Sequence, residues 1–106
     1  MTDHETLSHY TRVFSERSDA WRNSIEKEAE KIREYAQAEQ DFRIENLQVL
    51  EDKRMSVAVY NEKMKTYLFD YKNELELTRE VRRLSTNELK VAEQNLLTYK
   101  KLMSIT

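Results

Sequence analysis

The stretch Leu50-Glu51-Asp52-Lys53-Arg54-Met55-Ser56 lies at the midpoint of a 106-residue chain, and its reading decides the fold. Four consecutive charged residues interrupt the apolar pattern on both sides, and Ser56 is of the type that caps a helix N-terminus. A turn here gives helix 1 over about residues 3–51, a turn over about 52–56 and helix 2 over about 56–104, each helix on the order of 70 Å at 1.5 Å per residue. The product is an all-α fold, a long antiparallel two-helix hairpin of coiled-coil type, forming one domain over residues 1–106. The rival is a single continuous helix of about 150 Å within an oligomeric coiled coil. The absence of glycine and proline favours that rival, because those residues make most tight turns. The centred break, the similar arm lengths and the charge distribution favour the hairpin. Residues 1–53 carry eight Lys/Arg and thirteen Asp/Glu, and residues 54–106 carry ten and seven. The halves are therefore −5 and +3, and they attract when laid side by side.

Outward from the midpoint toward the N-terminus, apolar residues recur every seven positions as Leu7, Phe14, Trp21, Tyr35, Phe42 and Val49, with Glu28 interrupting the row. A companion row four residues later holds Ser18, Ile25, Ile32, Glu39 and Asn46. Alternating steps of three and four place two such rows on one helical face, a heptad seam. At the start of the chain, Thr2 and Glu5 have the spacing of a capping box.

Toward the C-terminus the seam is richer in leucine. One row is Leu68, Leu75, Arg82, Leu89, Leu96 and Met103, and the other is Met64, Tyr71, Thr78, Ser85, Ala92 and Tyr99. The expected seam core is Phe14, Trp21, Ile25, Ile32, Tyr35 and Phe42 from helix 1, with Leu68, Tyr71, Leu75, Leu89, Leu96 and Tyr99 from helix 2. A hairpin about the midpoint brings residue i opposite roughly 107 − i, so Glu28 and Arg82 fall within about one helical turn of each other. They are the expected register pair, since polar residues inside a heptad seam fix alignment.

Helix 2 carries further apolar residues in helical register: Leu77, Val81, Leu84, Val91, Leu102 and Ile105. These lie nearly opposite the seam. A helix with two apolar faces needs partners on both, so the six residues are the candidate partner interface.

Several function classes are disfavoured. Charged residues make up 36% of the chain and cysteine is absent, so there is no disulfide framework and no thiolate zinc site. A small core without turn chemistry does not hold a pocket of converging polar groups, which argues against an enzyme or a small-molecule substrate. His4 and His9 are five residues apart, about 140° around a helix, and cannot share one metal ion. No catalytic, cofactor or metal site is expected. The basic clusters Arg79-x-x-Arg82-Arg83 and Lys100-Lys101, even with Tyr67, Tyr71 and Tyr99 nearby, sit in balanced charge, so nucleic acid is not an expected partner. No apolar run approaches the roughly 20 residues of a transmembrane segment. The N-terminus is acidic and polar, unlike a targeting peptide.

The expectation for function is a non-catalytic helical adaptor or scaffold subunit. It mediates protein–protein assembly in a larger cytoplasmic complex, as part of a homo- or hetero-oligomer. The alternative is a small regulatory protein that binds and inhibits, or chaperones, one partner. A BAR-like membrane-surface module, using the basic second half, is third.

Overall fold

The structure, a computed structural model, describes residues 2–105, with Ile105 described by its backbone alone. Of these residues 94% are helical, and no strand is present among them. Helix α1 spans Asp3–Glu51 and helix α2 spans Val57–Ile105, 49 residues each. The two pack against each other as an all-α helical hairpin, so the continuous-helix alternative does not hold.

The turn explains how a chain without glycine reverses. Lys53 has φ 55°, in the left-handed region. Its amide donates to the Leu50 carbonyl (3.1 Å), and the Arg54 amide donates to the Val49 carbonyl (3.1 Å). These are the paired 5→2 and 6→1 bonds of a Schellman cap, with lysine in the place usually taken by glycine. The left-handed backbone costs a side-chain-bearing residue on the order of 1 kcal/mol. That cost is offset by two bonds to carbonyls that the end of α1 would otherwise leave open. Ser56 then caps α2 by accepting from the Val59 amide at 3.2 Å. At the start of α1, the Thr2 amide donates to Glu5 Oε2 (3.3 Å) and the Glu5 amide donates to Thr2 Oγ1 (3.2 Å), a reciprocal capping box.

The chain divides into two compact units, each containing part of both helices. One joins residues up to 26 with those from 80 onward; the other is 27–79 and contains the turn. In the turn-containing unit, Ala38, Phe42, Tyr60, Leu68 and Leu75 are buried. Phe42 lies against Tyr60 and Tyr67, each at a ring-centroid distance of 5.4 Å. In the other unit the buried residues are Ser24, Ala92 and Leu96. Phe14, Trp21, Leu89 and Tyr99 are half-buried there, as is Tyr35 in the turn-containing unit.

The inward face of α1 differs from the expected one. Ile25 and Ile32 are 39% and 43% exposed. The row that turns inward follows Trp21, Glu28 and Tyr35 by three residues rather than four. It contains Ser24 and Ala38, both buried, and Lys31, half-buried. Ser24 and Ala38 need little room between close-packed helices, Lys31 is long enough to carry its ammonium out to Glu34 and Glu74, and the isoleucines lie on the flank. Tyr71 also leaves the seam, at 37% exposed, with its ring 6.2 Å from that of Tyr67. Polar residues within the helices satisfy themselves locally: Ser24 Oγ donates to the Trp21 carbonyl (2.7 Å), and Thr78 and Thr86 donate to carbonyls four residues earlier.

Candidate interaction surface

In the unit joining residues up to 26 with those from 80 onward, polar bonds and a ring contact tie α1 to α2. Arg17 Nη1 donates to Glu88 Oε2 at 2.8 Å, with both side chains about half exposed. Tyr99 donates its hydroxyl proton to the Asp3 carbonyl at 3.0 Å. The rings of Tyr10 and Tyr99 meet at 5.3 Å. Beside the Arg17–Glu88 pair lies an open groove of about 370 Å³. Val13, Leu84, Val91 and Ala92 supply its apolar wall, and Asn87 and Asn95 bring amides to it.

Of the six expected interface residues, Val81, Leu84, Val91 and Leu102 are each more than half exposed in this unit, and Leu77 is 69% exposed in the other. The side chain of Ile105 lies outside the described residues. Leu84 and Val91 are not opposite the seam, because they share a groove with Val13 of α1 and the buried Ala92. At 3.6 residues per turn their stripe is centred about 110° from the seam, which makes it a flank. Val13, Asn87 and Asn95 are parts of this surface that the sequence reading missed. Valine at position 13 belongs to neither heptad row, and asparagine has no apolar signal.

The turn-containing unit has a groove of its own, bounded by Ile32, Tyr35, Leu75, Lys72 and Arg79. Ile44, Leu47, Val57, Val59 and Phe69 are also exposed in this unit. None of them was expected: Ile44, Leu47, Val59 and Phe69 follow no seven-residue row, and Val57, seven before Met64, stands next to the turn. Lys31 Nζ donates to Glu34 (3.0 Å) and across to Glu74 (3.1 Å). These hydrogen bonds, that to Glu34 first, raise the Lys31 pKa above its ordinary 10.5. Tyr67 is raised above 10.0, first by loss of hydration and then by Tyr71, Glu45 and Asp41. Neither shift creates an acid or base that works near neutral pH. Glu28 and Arg82 are each half-buried.

Among the described residues, no group of three or more His, Cys, Asp or Glu side chains could hold a metal ion. No helix among them is long and apolar enough to cross a membrane. Compared with known proteins, the chain matches no family model, no curated protein and no solved structure.

Proposed function

We propose that the protein is a non-catalytic helical scaffold subunit acting in the cytoplasm, and that it assembles with protein partners through the flank of α2. One observation carries this reading: Val81, Leu84 and Val91 stand more than half exposed while recurring in helical register. Scattered exposed apolar residues are normal on any surface. A stripe of them beside a groove marks an interaction site.

Replacing Val81, Leu84 and Val91 together with serine tests the reading. Far-UV circular dichroism should change little, because the buried residues of this unit are Ser24, Ala92 and Leu96. The chain purified by affinity from its native source should travel in an assembly larger than itself, and the triple variant should travel without it. A wild-type chain that travels alone, or a variant whose assembly is unchanged, overturns the reading. Binding of one enzyme with loss of that enzyme's activity replaces it with the inhibitor alternative. Salt-sensitive binding to anionic vesicles replaces it with the membrane-surface alternative.

A further inference from the structure

We propose that the turn between α1 and α2 is a hinge through which two copies of this chain exchange helices, α1 of each copy packing on α2 of the other. The proposal goes beyond the assembly reading above and does not use the exposed flank of α2.

The turn itself is the first observation. Lys53 holds a left-handed backbone, φ 55°, which is unfavourable for any residue that carries a side chain. The segment around it, Leu50-Glu51-Asp52-Lys53-Arg54-Met55, contains no glycine or proline. Leucine, glutamate, lysine, arginine and methionine are all strong helix formers. Straightening the segment relieves Lys53. It also replaces the two bonds of the cap, Lys53 to Leu50 and Arg54 to Val49, with ordinary i→i−4 bonds. A short connection under strain favours exchange of elements between copies, because the exchanged form remakes the remaining contacts.

The second observation is that one helical face runs through the turn. Phe42, Asn46 and Val49 of α1 and Tyr60 and Met64 of α2 are buried or half-buried. With Lys53 and Val57 between them, they follow one another in steps of four, three, four, four, three and four. In an unbroken helix all seven positions lie within about 80° of one another. The side that α1 buries therefore continues into the side that α2 buries, and a straightened chain presents both to the same neighbour.

The third observation is charge. Arg17 meets Glu88 and Lys31 meets Glu74, so residue i lies across from residue 105 − i. Exchanged helices keep that register between copies, with the two-fold axis between positions 52 and 53. Glu51 and Asp52 of each copy then lie across from Arg54 and Lys53 of the other. A two-fold contact sets a segment against itself reversed, and two acids followed by two bases complement their own reversal. In the hairpin these four side chains are exposed, and Arg54 reaches Asp52 at 3.3 Å.

The test uses the full chain, which has no cysteine of its own. Refolding at high chain concentration should yield, by sedimentation, a species of twice the chain mass of 12.8 kDa, and refolding at high dilution should yield the single mass. An Arg17→Cys chain refolded together with a Glu88→Cys chain should form a disulfide that joins one copy of each. The same two chains folded apart and then mixed should not. Lys53→Gly relieves the turn and disfavours the unbroken helix, so it should weaken the dimer at least tenfold with helicity retained. A single mass at every concentration overturns the proposal, as does a dimer whose mixed chains fail to cross-link. Equal cross-linking after separate folding, or a Lys53→Gly dimer as tight as the wild type, overturns it too. Failure here leaves the assembly reading, which rests on Val81, Leu84 and Val91, to its own test.

Discussion

In residues 27–79, Phe42 meets Tyr60 and Tyr67 at 5.4 Å, and Ala38, Leu68 and Leu75 complete the buried set. In the unit that pairs residues up to 26 with those from 80 onward, the buried set is Ser24, Ala92 and Leu96. Both units are built from the same two helices and the same seven-residue spacing, yet they are stabilised differently. An aromatic side chain buries on the order of 150–250 Å², so the turn-containing unit rests on the removal of large rings from water. The other unit buries smaller side chains, covers its rings, Phe14, Trp21 and Tyr99, only in part, and adds polar links: Arg17 to Glu88, and Tyr99 to Asp3. Exposed ion pairs of this kind are worth at most about 1 kcal/mol each. A regular heptad spacing therefore does not imply uniform stability along a hairpin, because the side chains that occupy it set the local value.

The largest effect that would break this comparison comes from truncating one buried residue in each unit. Phe42→Ala should cost about 3–5 kcal/mol and Leu96→Ala about 2–3 kcal/mol. Urea titrations followed by circular dichroism measure both. Equal losses would mean that the rings do not set the stability of their unit.

A smaller effect, of opposite sign, is available at the turn. Lys53→Gly removes the left-handed penalty at φ 55° and should stabilise the protein by about 1 kcal/mol, less the added freedom of glycine in the unfolded chain. Amide exchange shows where the gain appears. Slower exchange confined to residues 27–79 would show that the two units open separately, and slower exchange throughout would show that they open together.

The smallest effect separates the two kinds of cross-helix link by pH. Lys31 has its pKa raised above 10.5 by hydrogen bonds to Glu34 and Glu74. The stability it contributes is complete below the unfolded value and disappears as pH rises through the raised one. Tyr67, raised from 10.0, acts in the same direction. Arg17 stays charged throughout, because guanidinium does not titrate in this range. Between neutral pH and pH 10 the urea midpoint should not respond to these two groups. Above about pH 10.5 it should fall, and Lys31→Met should reduce the fall. An undiminished fall in that variant would remove Lys31 from the account.

Much of the hairpin was legible in the sequence. Leu68, Leu75, Ala92 and Leu96 stand out because leucine and alanine at seven-residue spacing have few other uses, and all four are buried. The caps at Thr2 and Ser56 were legible because capping chemistry is local. Periodicity could not show which side of the aromatic row in α1 turns inward. Steps of three and four are equally helical, and apolar character favoured Ile25 and Ile32. Ser24 and Ala38 are buried instead, and which row turns inward depends on what the other helix sets against it. The flank groove was hidden for a related reason. Val13 gains its meaning only from Leu84 and Val91, more than seventy residues further along the chain. The Lys53 cap was the least legible feature, because nothing in a lysine marks it for a left-handed backbone.

The hydrogen bond from Tyr99 to Asp3 has a mechanical consequence. It brings the first turn of α1 beside the last turns of α2, so a force that separates residues 3 and 99 acts across the helices rather than along them. Such a load is borne at first by the hydroxyl bond and by the Tyr10–Tyr99 ring pair. Once those give way it passes inward to the Arg17–Glu88 contact. Because the contacts are loaded in turn, the unit yields like a zip fastener. Two long helices loaded end to end would share the force as a strut, whereas here a weak pull at the paired ends is enough to begin opening the unit.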